Sequence, residues 1–185
     1  MPRASLSREA VVGLALRVVD EEGPAALTLA AVAARAGVAT PSLYKHVRNL
    51  AELRELLSAH VMGEISARVG DAVLGRSGDE ALRALMTAWR SYVRTHPGRY
   101  AAMIQSPQPG VAEAGKHLVD VLFAAVRSYD LTDSETVHAV RCLRAVVHGF
   151  TLLEAADAFG LPESLDDTYE LLTRMVIAGL REPRP

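Results

Sequence analysis

The chain has 185 residues, of which half are hydrophobic, 5% are aromatic and one is a cysteine, and its formal net charge is −2. No apolar run approaches the ~20 residues that span a bilayer, and a single cysteine excludes an internal disulfide framework. We therefore expect a soluble cytoplasmic protein with no membrane contact. A net charge so close to zero does not by itself indicate a nucleic-acid partner.

Apolar residues recur every three or four positions along most of the chain, and no β alternation of useful length appears. This pattern predicts an all-α protein of about nine helices. The first helix is predicted over about residues 5–22 and ends at Gly23 and Pro24. Short helices follow from Thr28 and from Thr40, and a long helix begins near Leu50.

The second half of the chain is predicted to hold helices at about residues 82–95, 97–105, 118–125, 132–156 and 164–181, with a break at residues 107–110. Thr132 and Glu135 form a capping box at the start of one of them. We expect a DNA-binding domain over residues 1–50, which includes the start of the linking helix. A C-terminal ligand-binding and dimerisation domain is expected over residues 51–185.

Residues 28–47 have the pattern of a helix-turn-helix. Gly37 can supply the positive φ of a tight turn between the two helices, and Leu43 and Val47 give the second helix a buried face. The outward side chains of that helix are Thr40, Ser42, Tyr44, Lys45 and His46. Short polar groups at a helix N-terminus, followed by a cation and an aromatic ring, suit a major groove flanked by phosphates.

A plain helical hairpin with a solvated polar face also accounts for the spacing of small residues. The exposed Tyr44 beside Lys45 and His46 favours DNA binding, because packing within the chain gives an aromatic ring no reason to lie there. Arg35 remains either a DNA contact or a solvated surface charge. Thr40 remains a helix cap, a base contact, or both.

Residues 27–57 resemble the DNA-binding domain of the TetR family of bacterial regulators. The resemblance is carried by Thr28, Ala36-Gly37-Val38, Leu43-Tyr44, His46-Val47 and Leu53. It implies phosphate contacts from Thr28, Tyr44, Lys45 and His46, and base contacts from Thr40, Pro41 and Ser42. The family usually has a phosphate-binding lysine where Leu50 stands here, so either Arg48 replaces it or the affinity for DNA is lower.

Residues 141–154, with Trp89 before them and Phe159-Gly160 after them, resemble the WHG-type C-terminal domain of one branch of this family. The resemblance implies a small-molecule pocket and dimerisation through the last two long helices. The candidate pocket residues, each of which could instead be ordinary core, are Trp89, Tyr92, Met103, Phe123 and His148.

Three further features of this C-terminal part can be judged from the sequence. The alternative for His148 is a core histidine bonded to a carbonyl or to Glu154. Gly149 costs ~1 kcal/mol within a helix, so we expect close helix packing or a ligand there. His138 and Cys142 have metal-ligand spacing, but no further ligand lies nearby in sequence and we expect no metal site.

Together with the helix-turn-helix pattern, the resemblance to the TetR family implies a homodimeric repressor that binds a palindromic operator in double-stranded DNA and is released by a small-molecule effector. No cofactor and no catalytic residue are expected, since no phosphate loop, zinc-binding motif or nucleophile elbow is present. Two alternatives stay open, an all-helical enzyme or metal-binding bundle, and a helical scaffold with a vestigial helix-turn-helix.

Overall fold

A computed structural model describes residues 6–105 and 115–182, and within these ranges the chain is helical with no strand. The predicted all-α fold is confirmed, and the predicted break at residues 107–110 lies outside the described residues. The α-helices of the described ranges are α1 (Arg8–Glu22), α2 (Leu29–Ala36), α3 (Leu50–Val73), α4 (Gly78–Thr95), α5 (Pro97–Gln105), α6 (Lys116–Val126), α7 (Asp133–Ala155) and α8 (Leu165–Arg181). Short 3₁₀ helices occur at Pro24–Ala26, Thr40–Lys45 and Arg127–Tyr129.

Local signals set several of the helix boundaries. The side chains of Ser7, Thr28 and Ser164 accept hydrogen bonds from backbone N–H groups in the first turns of α1, α2 and α8. Thr132 and Glu135 form the predicted capping box at the start of α7. Gly23, with a φ of +83°, ends α1 at the predicted position. Helix α1 begins at Arg8, about three residues after its expected start, whereas the capping box of α7 and the end of α1 lie as predicted, because each depends on residues only a few positions apart.

The chain divides into two compact units, one formed by Met1–Gly63 with His96–Gly115 and the other by Glu64–Thr95 with Lys116–Pro185. Helix α5 belongs to the first unit, whereas the sequence assigned it to the C-terminal domain. The reason is that α5 packs on α1, far from it in sequence.

Gly98, in the first turn of α5, permits this packing. A Cβ atom at Gly98 would lie 2.0 Å from the carbonyl oxygen of Val19 on α1, so only glycine fits there. Next to it, the Arg99 guanidinium binds the carboxylate of Asp20 at 2.7 Å. The side chain of Tyr100 is fully buried. The sequence predicted a helix over about residues 97–105 but contained no signal for its contact with α1.

The second unit is organised around a buried arginine. The guanidinium of Arg90 on α4 donates to both carboxylate oxygens of Glu154 on α7, at 2.6 and 2.9 Å, and binds Asp166 on α8 at 2.8 Å. Its charge also lies within 5.3 Å of the ring centres of Phe150 and Tyr169. Arg90 therefore connects α4 to the last two long helices.

Candidate nucleic-acid interface and C-terminal helices

Thr28 and Gly37 are the N-cap and C-cap residues that flank α2. The Thr28 hydroxyl accepts a hydrogen bond from the N–H of Ala31 at 3.0 Å. Gly37 has the left-handed conformation, with φ +65° and ψ +31°, and its N–H closes the helix. The predicted cap and turn are therefore confirmed, and α2 buries Val32 and Ala33.

The segment after the turn, Thr40–Lys45, is a 3₁₀ helix that we call the recognition helix. Its cap position is Ala39, and no side chain caps it. The interpretation of Thr40 as the helix cap is therefore wrong. Thr40 is already the first helical residue, and Pro41 has the fixed φ that suits a helix start.

The recognition helix buries one of its three sides, and its polar residues differ in how exposed they are. A 3₁₀ helix has three residues per turn, so positions three apart share a side. Leu43 is fully buried, and Thr40 and His46, three positions either side of it, are half-buried. Pro41 and Tyr44 share a second side, and the Tyr44 side chain is 56% exposed. Ser42 and Lys45 share the third side, with Lys45 exposed and Ser42 half-buried.

The two arginines predicted to contact DNA differ in their surroundings. Arg35 lies against the end of α1, where it forms ion pairs with Glu21 and Glu22. The hydrogen bond to Glu22 raises the pKa of Arg35, and the two carboxylates neutralise its charge, which favours the surface-charge alternative. Arg48 also has a carboxylate partner, Glu52, at 3.1 Å, but its side chain is 81% exposed.

Arg8, at the start of α1, was not predicted as part of this surface. Its Nε donates to the carbonyl oxygen of His46, at the end of the recognition helix, at 3.1 Å. Its Nη2 lies 3.5 Å from Oε1 of Glu52. The sequence contains no local signal for these contacts because Arg8 and His46 are 38 positions apart.

Among the candidate ligand residues, the structure brings Trp89 and His148 together. Their rings meet edge to face with centres 5.3 Å apart. Tyr92 is buried and its hydroxyl donates to Glu64 at 2.7 Å. Met103 is buried on α5 in the first unit, and Phe123 on α6 is exposed.

His148 is held as a neutral imidazole. Burial, together with the positive charge of Arg144, lowers the pKa of His148 to about 4. The Nε of Arg144 donates to Nε2 of His148 at 3.2 Å, so this nitrogen acts as an acceptor. Glu154, the partner considered from sequence, is instead bound to Arg90.

Helices α7 and α8 leave an apolar stripe uncovered within the described chain. Leu153, Leu171 and Met175 are exposed, and Met175 reaches 62%. A Cβ atom at Gly149 would meet no other atom within 4 Å. The expected close packing at Gly149 is therefore not made by the described residues of this chain.

His138 and Cys142 line an apolar groove of about 430 Å³ between α7 and α8. Over residues 6–105 and 115–182, no three or more His, Cys, Asp or Glu side chains are grouped so that they could hold a metal ion. No helix in these ranges is long and apolar enough to cross a membrane.

Comparison with protein families matches two models. Residues 12–57 match "Bacterial regulatory proteins, tetR family", and residues 82–176 match "Tetracyclin repressor-like, C-terminal domain". An uncharacterized HTH-type transcriptional regulator of Mycobacterium tuberculosis is 34% identical over 178 residues, which cover 94% of this chain and 80% of that protein.

Solved structures share the fold at lower sequence identity. A protein of unknown function from Rhodococcus sp. RHA1 is 21% identical, with a TM-score of 0.83 and coverage of 98% of this chain and 100% of that one. A TetR variant from Acinetobacter baumannii AYE, in complex with minocycline, is 20% identical, with a TM-score of 0.74 and coverage of 97% and 100%. With the helix-turn-helix geometry and both family models in agreement, the chain belongs to the TetR family and is a DNA-binding transcriptional regulator.

Proposed function

We propose that this chain is a homodimeric repressor that binds a palindromic operator and leaves it when a small-molecule effector binds the C-terminal helices. It acts in the cytoplasm, uses no cofactor and catalyses no reaction. The observation that carries the proposal is the exposed polar surface of the recognition helix, on which Tyr44 and Lys45 are free of the packed core.

On this surface we assign two kinds of DNA contact. Thr28, Tyr44, Lys45 and His46 bind phosphates and position the domain on the duplex. Thr40, Pro41 and Ser42 face base edges, where the pyrrolidine ring of Pro41 offers only apolar contact to a thymine methyl group. Few of these groups form the bidentate hydrogen bonds that discriminate bases most strongly, so one domain reads little sequence by itself.

The test uses fluorescence anisotropy on duplexes from the region upstream of the protein's own gene and of any divergent neighbour. We expect Tyr44→Ala to weaken binding to all sequences and Ser42→Ala to change the preferred sequence. Lys45→Ala and Lys116→Ala form a matched pair, since both lysines are exposed and they are the only lysines in the chain. Equal losses of DNA affinity in the two variants would show that the overall charge, not the recognition helix, binds DNA.

The apolar stripe on α7 and α8 supports dimerisation through these helices. Leu153, Leu171 and Met175 are large apolar side chains left in contact with solvent, and a second copy would cover them. The open space at Gly149 allows a helix of that copy to approach closely. A twofold dimer then presents two recognition helices to two half-sites at a fixed spacing.

Dimerisation is tested by light scattering after size-exclusion chromatography. We expect Met175→Glu to give monomers and to abolish tight operator binding. Leu161→Glu is the control, because Leu161 is also exposed but lies outside α7 and α8. A dimeric Met175→Glu protein would show that the interface lies elsewhere.

The effector is proposed to bind in the second unit beside Trp89, Tyr92 and His148, with Phe123 as a further candidate. An effector acts only if it binds the DNA-bound and free states unequally. The solved complex of a family member with minocycline supports a small-molecule role for this fold.

Trp89 gives a direct assay because it is the only tryptophan in the chain. Compounds found by a thermal-shift screen, with minocycline as a first probe, should both release the operator and change the fluorescence of Trp89. Compounds that release the operator while leaving that fluorescence unchanged would place the effector site elsewhere.

A further inference from the structure

Two arginines share one carboxylate beside the recognition helix. Glu52, in the first turn of α3, lies 3.1 Å from Nε of Arg48 and 3.5 Å from Nη2 of Arg8. The side chain of Glu52 is only 11% exposed, whereas the side chains of Arg8 and Arg48 are 54% and 81% exposed. The carboxylate is thus enclosed while most of each arginine side chain stays accessible to solvent.

The carboxylate of Glu52 is held in its charged form. Its Oε2 accepts the backbone N–H of Arg48, and this hydrogen bond, with the Arg48 guanidinium, lowers the pKa of Glu52. The Oδ1 of Asn49 accepts the N–H of Glu52 at 2.9 Å, which closes the first turn of α3. Glu52 is therefore a fixed anchor for both guanidinium groups.

Arg8 is also attached to the recognition helix. Its Nε donates to the carbonyl oxygen of His46, the residue that ends this helix, at 3.1 Å. With Nε on the carbonyl and Nη2 towards Glu52, the guanidinium has a defined orientation next to a segment that contacts DNA in the proposed function.

We propose that Arg8 and Arg48, both held by Glu52, form a two-arginine clamp for the DNA phosphate backbone. The inference rests on the proposed DNA-binding function. Two guanidinium groups against one carboxylate leave a net positive charge of one, and each guanidinium keeps N–H groups for the paired hydrogen bonds that it forms with phosphate. A purely structural ion-pair network would need neither arginine to be so exposed.

The test measures phosphate contacts through the salt dependence of binding. The full-length protein is titrated onto a fluorescent mixed-sequence duplex of about 30 base pairs between 50 and 200 mM salt, because phosphate contacts do not depend on sequence. Each contact contributes about 0.9 to the slope of log K against log salt. Arg8→Ala removes two contacts per dimer, so the magnitude of its slope should be smaller by about 1.8. Its loss of DNA affinity relative to the wild type should therefore be about 12-fold larger at 50 mM than at 200 mM salt.

The matched control is Arg17→Ala, since Arg17 is exposed on the same helix, nine positions further along. Its slope should stay within about 0.5 of the wild-type slope. Arg48→Ala should lose as much slope as Arg8→Ala, and the double variant should lose about twice as much. Thermal unfolding followed by circular dichroism verifies that each variant is folded. If Arg8→Ala is not folded, Arg8→Gln takes its place, because it removes the charge but can still donate to the carbonyl oxygen of His46.

The Glu52→Gln variant distinguishes positioning of the two arginines from an effect of net charge on DNA affinity. Removing a negative charge near DNA would strengthen binding if only net charge mattered, whereas releasing two positioned arginines should weaken it. An unchanged slope in Arg8→Ala, or tighter binding by Glu52→Gln, would overturn the clamp while the wild type still binds. A wild-type protein that does not bind the duplex would overturn the proposed function as well.

Discussion

Replacing Gly98 with alanine tests the close approach of α5 to α1. The added Cβ atom would lie 2.0 Å from the carbonyl oxygen of Val19 and 2.9 Å from its carbonyl carbon. Both are backbone atoms, so no flexible side chain can move aside. To restore even a 3.0 Å contact, the two helices must separate locally by about 1 Å, which disturbs the ion pair of Arg99 with Asp20.

The expected cost follows from this geometry. Overpacking in a tight contact costs about 1–3 kcal/mol, and weakening a partly buried ion pair adds up to about 1 kcal/mol. The higher helix propensity of alanine returns up to about 1 kcal/mol. We therefore expect Gly98→Ala to lower the free energy of unfolding by about 2 kcal/mol, and Tm by about 4–8 °C for a chain of this size.

The assay is thermal unfolding followed by far-ultraviolet circular dichroism. Gly13→Ala is the control, because Gly13 lies within α1 and a Cβ atom there would meet nothing within 4 Å. That variant should be more stable than the wild type by about 0.5–1 kcal/mol. If Gly98→Ala is as stable as Gly13→Ala, the close approach of the two backbones is not what requires glycine.

Three further predictions concern the second unit. Arg90→Met should cost about 3 kcal/mol in urea unfolding, because it removes the hydrogen-bonded cation of the enclosed Glu154 carboxylate and leaves only Arg94, at 4.0 Å. The double variant with Glu154→Leu should recover most of this loss, and a double variant as unstable as the single one would contradict the argument. The pKa of His148 is lowered to about 4 mainly by burial, so between about pH 6.5 and pH 4 the unfolded chain binds a proton that the folded chain does not. Stability should therefore fall as the pH decreases through this window, by up to about 3 kcal/mol, and His148→Gln should flatten the profile; identical profiles for both proteins would rule out this cause. Thr132→Ala should cost about 1 kcal/mol, seen as a Tm lower by about 2–4 °C, and an unchanged Tm would mean that the cap does not stabilise α7.

The helix-turn-helix was predictable from sequence because its determinants are local. Thr28 caps α2 and Gly37 closes it, each through bonds to residues three or four positions away. Leu43 and Val47 are buried as their spacing indicates. The prediction of Thr40 as a cap was wrong because sequence periodicity does not distinguish a short 3₁₀ helix from an α-helix. The position of the first helical residue depends on which of the two forms.

The sequence alone determined the family, the all-α fold and the polar outer surface of the recognition helix, since each is encoded by residues close together in the chain. Only the tertiary structure decided which charged groups near that surface can contact DNA. It pairs Arg35 with two carboxylates of α1, and it brings Arg8 to His46 across 38 positions. The requirement for glycine at position 98 also depends on the tertiary structure, because the carbonyl oxygen of Val19 that approaches it belongs to another helix. Contacts between distant segments depend on how the helices pack, and helical periodicity specifies which face is buried but not which residue it meets.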